Sequence, residues 1–389
     1  MPSAIKPKAL EPGATIAFIS PSARINAEFP AVMARATAVL TGQGYKVRDL
    51  FSGPDSSIQA SISNRLSEIR IAFSDPTIAA IICTIGGPSF TELLPALIAD
   101  TELHATIRAN PKIVVGFSDI TGLHWFLHSV TGLRTFYGPG AIPELGAAVS
   151  SSSSSSSSDH DDKSSSSSSS EVLAFSTRNL FRTITATDDG RKPLGEIPRS
   201  RVYAPSLPPF STSSDPASTD PSAVLPNPGW VWLRGGRAQG RLFGGCLTVV
   251  ARLAGVKAVV PDWRGRIVFL ETAIDEDMVS GNPLHRVQAG FADLIAQGVF
   301  EEAAGLVVGR PFGYDAPEMR ERYTGVIMGF LGGEGKDGGA LDKVKNGDFP
   351  ILFGVDFGHT TPMVTLPFDA LAELDSERDR FAVLEAGVV

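Results

Sequence analysis

Residues 112–130, K-I-V-V-G-F-S-D-I-T-G-L-H-W-F-L-H-S-V, decide the fold, because a buried strand, a turn and a helix follow one another in this stretch. The β-branched run at 113–115 is typical of a buried strand, and the glycine after it ends the strand. From Ile120 onward, apolar residues recur at helical spacing. Ser118 and Asp119 are therefore predicted to occupy a strand-to-helix turn.

A serine on such a turn lies at the end of a sheet, beside the unpaired amide groups of the helix that follows. This is the geometry of the G-x-S-x-G nucleophile elbow, in which backbone amides stabilise an oxyanion. The motif here is G-F-S-D and has no second glycine. Ser118 is therefore a candidate nucleophile, and the alternative is that it only caps the helix.

Strands and helices alternate on the N-terminal side of this stretch. The predicted elements are, in chain order, a strand at 15–20, a helix at 29–40, a strand at 45–50, a helix at 64–74 and a strand at 79–85. Such alternation predicts an α/β fold in which helices cover both faces of a parallel sheet. Ligands bind at the carboxyl ends of the strands of such sheets, where Gly87 and Ser118 would both lie.

The length of 389 residues exceeds the usual size of one hydrophobic core, so two domains are expected. Residues 1–146 form the predicted nucleophile domain. Residues 147–228 form a Ser/Pro-rich insert and crossover, and residues 229–389 form a C-terminal domain of mixed strands and helices.

The insert begins with two serine runs, at 150–158 and 164–170, on either side of a charged island. Such a tract cannot bury a core and is predicted to be disordered, whereas 171–183 is predicted to be a helix. His160 stands beside three aspartates in the island. We interpret this group as solvated low-complexity sequence and not as a metal site.

The composition favours a small-molecule partner. A formal charge of -8 and a pI near 5.4, without any basic run, argue against a nucleic-acid partner. Two cysteines in apolar or glycine-rich contexts predict neither a disulfide framework nor a zinc site. No stretch reaches the roughly 18 continuous apolar residues of a membrane span, so we expect no membrane partner and a cytoplasmic protein.

A serine nucleophile needs a base, which is usually histidine. His359 follows a predicted strand in a Gly-His turn, where the glycine leaves room for the imidazole to reach across a cleft. His124 and His128 lie one helical turn apart, and we expect them to be helix-surface or core residues because no acidic or cysteine partner is near them in the sequence. His359 is the candidate base.

An acid must orient the imidazole of the base. Glu271 stands alone at the tip of the apolar strand R-I-V-F-L-E and is the candidate acid. The alternative is that Glu271 is an ordinary surface residue at a strand end. If Glu271 does not orient the imidazole, Asp275 and Asp356 are the next candidates.

Five ordered motifs resemble the LD-carboxypeptidase family of serine peptidases. They are C-T-I-G-G-P-S-F-T-E-L-L-P at 83–95, V-G-F-S-D-I-T-G-L-H at 115–124, R-L-F-G-G-C-L at 241–247, F-L-E at 269–271 and V-D-F-G-H-T-T-P-M-V-T-L-P at 355–367. The T-I-G-G and D-F-G-H-T-T-P segments resemble the branch of the microcin C self-immunity peptidase. Muropeptide-recycling members typically carry R-G-G-Y-G in the first motif.

The resemblance implies a triad of Ser118, Glu271 and His359, with an oxyanion hole formed by backbone amides near Gly87 and Asp119. It also implies a flavodoxin-like N-terminal domain that carries the serine and a C-terminal domain that carries the glutamate and the histidine. The active site would lie at the interface of these domains, and the family is usually homodimeric.

Two positions differ from the family pattern. Cys246 stands where many members have asparagine, and Asp369 stands where a glycine is usual. Because a thiol cannot donate and accept hydrogen bonds as an amide does, we expect the recognition of substrate at Cys246 to differ from that of those members.

The sequence thus predicts a serine hydrolase that cleaves an amide bond in a small peptide or aminoacyl conjugate, without a metal or organic cofactor. One alternative within the family is a muropeptide L,D-carboxypeptidase. An alternative of another class is a catalytically silent homologue that binds a small ligand.

Overall fold

The computed structural model of the chain describes residues 4–53, 55–148, 164–185, 192–205, 223–332 and 348–389. The described helices are α1 Pro30–Gly42, α2 Ile58–Ser74, α3 Leu94–Ala99, α4 Thr101–Ala109, α5 Thr121–Phe126, α6 Ser164–Ile184, α7 Leu247–Leu253, α8 Leu284–Ala296 and α9 Pro317–Leu331. Short 3-10 helices lie at Phe90–Leu93 and Ser118–Ile120, and π-helical turns lie at Leu127–Thr131 and Ala141–Leu145. None of the helices in these ranges is both long and apolar enough to cross a membrane.

The strands pair into two large sheets and one two-stranded ribbon. Their bounds are β1 Thr15–Ile19, β2 Lys46–Asp49, β3 Ile78–Cys83, β4 Ile113–Gly116, β5 Phe136–Tyr137, β6 Gly195–Glu196, β7 Val202–Tyr203, β8 Leu225–Pro226, β9 Val231–Arg234, β10 Arg237–Cys246, β11 Arg266–Glu271, β12 Gly305–Gly309, β13 Ile351–Val355, β14 Leu366–Pro367, β15 Leu371–Asp375 and β16 Arg380–Val383.

The first sheet has the order β2-β1-β3-β4-β5-β14, and every pair except β5 with β14 is parallel. The order of its first five strands is that of flavodoxin-like folds. Its central strands β3 and β4 are rich in β-branched residues and almost wholly buried between helical layers, as expected for a parallel sheet. The predicted parallel N-terminal sheet is confirmed. Strand β14 reaches this sheet from the C-terminal part of the chain.

The second sheet has the order β6-β16-β15-β10-β11-β12-β13-β9. Strands β10 to β13 are parallel, and the strands flanking them are antiparallel. The expected mixed α/β fold of the C-terminal part is confirmed. Glu271 is the last residue of the central strand β11.

Strand β10 contains three glycines, Gly240, Gly244 and Gly245. The glycines are needed because β10 packs very closely against β11: a Cβ atom at Gly244 would lie 1.8 Å from the carbonyl oxygen of Phe269. Glycine inside a strand can mark such a close backbone approach as well as a turn.

Helix α6 shows that the prediction of disorder is wrong for the serine run at 164–170, which forms its first turns. The predicted helix at 171–183 is confirmed, and buried residues such as Leu180 and Ile184 anchor it on the core. Once such a helix is nucleated, each added serine costs only about 0.5 kcal/mol relative to alanine, so the helix extends into the run. The first serine run and His160 lie outside the described residues.

Candidate active site

Ser118 lies on the predicted turn between β4 and α5. Its φ is +62°, in the left-handed region that non-glycine residues rarely adopt and that costs about 1–2 kcal/mol. The backbone amide of Ser118 donates to Tyr137 Oη (3.1 Å), and its carbonyl accepts from Thr121 Oγ1 (2.7 Å). These bonds hold the turn in a strained conformation that is common at functional sites.

The glycine loop after β3 packs directly against Ser118. A Cβ atom at Gly86 would lie 2.6 Å from Ser118 Cβ and 2.8 Å from its Oγ, so only glycine fits there. The next residue, Gly87, has a φ of +128°, and a Cβ atom on it would lie 2.7 Å from Ala23 Cβ. The two glycines therefore bring the backbone of this loop to the hydroxyl of Ser118.

The side chain of Asp119 ties this loop to the serine turn. The carboxylate is buried and accepts hydrogen bonds from Ser22 Oγ (2.7 Å) and from the backbone amide of Phe90 (2.7 Å). It also pairs with Arg252 of α7. Only the backbone of Asp119 has a role that the sequence predicts, because nothing in the sequence shows which segments meet at its carboxylate.

Glu271 and His359 form a pair at the carboxyl end of β11, in which the carboxylate is buried and the imidazole is partly buried. His359 Nδ1 donates to Glu271 Oε2 (2.7 Å), and the backbone amide of His359 donates to the same oxygen (3.2 Å). Gly358, at a φ of +85°, makes this approach possible, because a Cβ atom there would lie 2.3 Å from Glu271 Cγ. Glu271 is only 1% exposed, so the alternative of a surface residue is excluded.

Tyr137, which the sequence analysis did not single out, connects the serine to this pair. Its hydroxyl accepts from the amide of Ser118 and donates to Glu271 Oε1 (2.5 Å). Burial and the nearby charge of Glu271 raise the pKa of Tyr137 well above its usual value, so the hydroxyl stays a donor at neutral pH. Tyr137 is the second residue of the two-residue strand β5 and carries no sequence pattern that marks it as part of a site.

The contact between Ser118 and His359 is indirect within the described residues. No hydrogen bond to Ser118 Oγ occurs among them. The His359 ring packs edge-on against Phe117, the neighbour of Ser118, with ring centroids 5.0 Å apart. Hydrogen bonds between catalytic groups are often long before substrate binds and tighten only in the substrate complex.

The charges of the pair stabilise each other. Burial alone would raise the pKa of Glu271, but the charge of His359 and hydrogen bonds from His359 and Tyr137 lower it below its ordinary value. Burial alone would lower the pKa of His359, but Glu271 raises it above the usual value, with a smaller contribution from Glu144. Burial raises the pKa of Glu144 itself to about 7. His359 is therefore prepared to hold a proton beside Glu271.

Asp356 does not contact the His359 ring and is instead bound by Arg310, with Nε 3.2 Å from Oδ1. The other candidate acid, Asp275, pairs with Arg286. Neither aspartate takes the position that Glu271 occupies beside the imidazole.

The two positions that depart from the family pattern are both buried. Cys246 pairs with Glu271 in the register of β10 and β11, and its amide donates to Thr121 Oγ1 (3.1 Å). Asp369 has a φ of +56°, which accounts for the usual glycine at this position, and its carboxylate pairs with Arg266 (2.7 Å). Cys246 is thus near the candidate acid, whereas the Asp369 carboxylate joins Arg266 of the second sheet to His128 in the N-terminal part of the chain.

The buried His124 confirms its interpretation as a packing residue. Its ring bonds to the Gly116 carbonyl (2.9 Å) and to Thr135 Oγ1 (2.9 Å). Burial lowers the pKa of His124 to about 4, so the ring is neutral in the folded protein at pH 7. In the part of the chain that the structure describes, no three histidine, cysteine or acidic side chains are grouped as a metal site would need.

Comparison with known proteins connects this geometry to a family. A model of the LD-carboxypeptidase N-terminal domain matches residues 16–138, and a model of the LD-carboxypeptidase C-terminal domain matches residues 239–374. These two matches together span more than half of the chain and include Ser118, Glu271 and His359.

Several relatives match over nearly the whole chain. A Vibrio cholerae protein with a provisional carboxypeptidase name is 27% identical and covers 96% of both chains. The microcin C7 self-immunity protein MccF of Escherichia coli is 24% identical over 96% of this chain and 94% of its own.

A solved structure of MccF in complex with aspartyl sulfamoyl adenosine is 24% identical to this chain. It superimposes with a TM-score of 0.75 over 99% of this chain and 100% of that one. This likeness shows that the chain has the fold of MccF.

Proposed function

The chain belongs to the LD-carboxypeptidase family of serine peptidases, and from this premise we propose that it cleaves an amide bond in a small peptide or aminoacyl conjugate with a triad of Ser118, His359 and Glu271. The observation that carries the proposal is the hydrogen bonding of Glu271. Its buried carboxylate binds His359 Nδ1 on one oxygen and, through Tyr137, reaches the amide of Ser118 from the other.

In the proposed mechanism, Ser118 Oγ attacks the carbonyl carbon of the scissile amide while His359 Nε2 accepts its proton. Glu271 holds the proton on Nδ1, which leaves Nε2 free to act as the base. Its negative charge then stabilises the imidazolium that forms. Backbone amides near Gly87 and Asp119 are proposed to stabilise the tetrahedral oxyanion.

The second half of the reaction uses the same groups. His359 Nε2 gives its proton to the leaving nitrogen, and the bond between the carbonyl carbon and that nitrogen breaks to leave an acyl-enzyme on Ser118. Water then attacks the acyl-enzyme as His359 takes one of its protons. The bond between the carbonyl carbon and Ser118 Oγ then breaks, and His359 returns the proton to Oγ as the acid leaves. The enzyme is regenerated, so no metal or organic cofactor is needed in this scheme.

The proposed substrate class is an aminoacyl group joined through an amide-type nitrogen to a larger leaving group. This class is supported by the similarity to MccF, which has been solved with aspartyl sulfamoyl adenosine. Cys246, at the register position next to Glu271, is proposed to change which leaving group fits, because its thiol replaces a side chain with stronger hydrogen bonding.

We further propose that residues 1–146 and 229–389 are the two domains, that 147–228 forms the insert and crossover, and that the protein is a cytoplasmic homodimer. The spacing of the two matched family domains supports the division of the chain. Two unpaired cysteines are compatible with a reducing compartment. Sedimentation velocity would test the dimer.

The function is tested by incubating the protein with two substrate sets, aminoacyl sulfamoyl adenosines and muropeptide tetrapeptides, and identifying products by mass spectrometry. The proposal predicts release of a free amino acid from the first set by the wild type and not by Ser118→Ala. Cleavage of the tetrapeptides alone would instead indicate a muropeptide carboxypeptidase. Tight binding of either set without turnover would indicate a catalytically silent homologue.

A further inference from the structure

The loop that carries His359 is held at both ends by one guanidinium group. Arg310 follows β12, and its Nε donates to the Asp356 carboxylate (3.2 Å), three residues before His359. Its Nη2 donates to the carbonyl of Thr361 (3.4 Å), two residues after His359. Arg310 is 7% exposed and Asp356 is 1% exposed, so these contacts are shielded from water.

The described residues of the crossover, 192–205 and 223–228, are called the crossover segment, and they bind the same two ends of the loop. The amide of Ser200 donates to Asp356 (3.3 Å), and Asn227 Nδ2 lies 3.0 and 3.1 Å from its two carboxylate oxygens. The amide of Ala204 donates to the carbonyl of Thr361 (2.8 Å). The Arg310 guanidinium carbon also lies 4.2 Å from the centre of the Tyr203 ring, at the distance of a cation–π contact.

The Arg310–Asp356 pair is buried, so its ion pair and hydrogen bonds must offset the cost of removing two charges from water. Burial raises the pKa of Asp356 and lowers that of Arg310, so each charged group is disfavoured by its surroundings. A buried ion pair is often no more stabilising than apolar packing of the same volume, but it fixes the relative positions of the groups that share it. Here the fixed groups are the two ends of the His359 loop and the crossover segment.

We propose that Arg310 is a positioning residue for His359, and that Asn227 links the position of the crossover segment to that of the base. The inference rests on the proposed role of His359 as the catalytic base. It goes further in that the crossover, which contributes no member of the proposed triad, sets the geometry of the imidazole. A planar guanidinium can bind Asp356 and Thr361 at once, whereas a lysine ammonium on a flexible stem cannot match this fork.

The test compares Arg310→Lys with Arg266→Lys. Arg266 is a matched control because it is also buried and pairs with an aspartate, Asp369 (2.7 Å), but begins β11 at the end opposite Glu271. Melting temperature measures the structural cost of each substitution. The kcat and KM for a cleaved substrate measure function, and the downfield proton resonance of His359 Nδ1 measures the bond to Glu271 without any substrate.

We expect Arg310→Lys to lower kcat by about 100-fold with little change in KM, as a displacement of about 1 Å in a catalytic group does. In Arg310→Lys the His359 Nδ1 resonance should shift or broaden. Arg266→Lys should keep the wild-type resonance and kcat, even where its melting temperature falls as much as that of Arg310→Lys. Asn227→Ala, which leaves the Arg310–Asp356 pair in place, should lower kcat by about tenfold, equivalent to one lost hydrogen bond.

The proposal is overturned if Arg310→Lys keeps the wild-type resonance and kcat, or if both lysine variants lose them equally. If Arg310→Lys fails to fold, Asn227→Ala decides by the same two measurements. The proposed function can fail separately. Full turnover in Ser118→Ala would remove Ser118 as the nucleophile. The positioning of His359 would still be decided by the Nδ1 resonance, which is assigned by its loss in His359→Ala.

Discussion

Replacement of Glu271 by glutamine tests the proposed acid while keeping its shape. The carboxylate accepts three hydrogen bonds, from the Nδ1 and backbone amide of His359 and from the hydroxyl of Tyr137. A glutamine amide offers one acceptor oxygen and one donor nitrogen. If its nitrogen faces His359, Nδ1 must become the acceptor, and the proton moves to Nε2, where the base is needed.

If the glutamine oxygen faces His359 instead, the tautomer survives but the negative charge does not. Removing one charge from a buried pair costs about 3–5 kcal/mol when the other charge must still form. Because His359 becomes an imidazolium in the transition state, this cost raises the activation free energy, and kcat should drop by about 10²–10⁴-fold. The carboxylate does not reach the substrate in this scheme, so KM should change little.

The assay is steady-state kinetics across pH for the wild type and Glu271→Gln. His359 must be neutral to accept a proton, and Glu271 raises its pKa, so kcat/KM of the wild type should fall below a pH higher than the usual histidine value of about 6.5. In Glu271→Gln this fall of kcat/KM on the acid side of the pH profile, the acid limb, should move to lower pH, because the Glu271 charge that raises the pKa of His359 is absent. Glu144 also faces His359 but is the same in both proteins, so the shift reports Glu271.

Glu373→Gln is the matched control, because Glu373 is a buried carboxylate on β15, two strands from β11 in the same sheet, and it pairs with Arg237 and Arg380 and not with His359. It should keep kcat and the pH profile. A strong rise of KM with kcat preserved in Glu271→Gln would refute the reasoning and place Glu271 in the substrate pocket. An unchanged acid limb would refute its coupling to His359.

Three other substitutions test separate features of the site. Gly358→Ala should place a methyl group against Glu271, 2.3 Å from its Cγ, and impose strain at a φ of +85°, so we expect a destabilisation of about 1–3 kcal/mol by denaturant titration and a large loss of kcat. Tyr137→Phe should keep the circular dichroism spectrum but lower kcat by about tenfold, since the Ser118 amide and Glu271 each lose a hydrogen bond. For His124, burial lowers the folded-state pKa to about 4, so between pH 4 and 6.5 the unfolded chain binds more protons and stability rises with pH. Urea titrations should show that the wild type gains about 2 kcal/mol more than His124→Gln between pH 5 and pH 7.

The elements that could be predicted from the sequence are those whose signal is local. The β-branched run before Gly116 and the helical spacing after Ile120 located the turn of Ser118, and the alternation of strands and helices gave the parallel sheet. A pair of glycines in the sequence does not distinguish a loop from a closely packed strand. Gly86 and Gly87 form the expected loop, but Gly244 lies inside strand β10, where it allows close packing of two strands.

Contacts between distant segments could not be predicted. Tyr137, the carboxylate of Asp119 and Arg310 act through partners far away in the chain, and their positions depend on how the two sheets meet. Even the first sheet contains a strand from the end of the chain, β14, which no local pattern assigns to it. The serine composition alone predicts disorder at 164–170, but the apolar residues that follow anchor helix α6 and let it extend into this run.

The central claim is that Ser118 is an activated nucleophile, and covalent labelling with a fluorophosphonate probe tests it most directly. The probe reacts only with an activated serine, and its adduct is located by intact-mass and peptide mass spectrometry. We predict one adduct on Ser118 in the wild type, none in Ser118→Ala, and much slower labelling in His359→Ala. Labelling of Ser118→Ala at the wild-type rate, or an unlabelled wild type that is folded, would contradict the account.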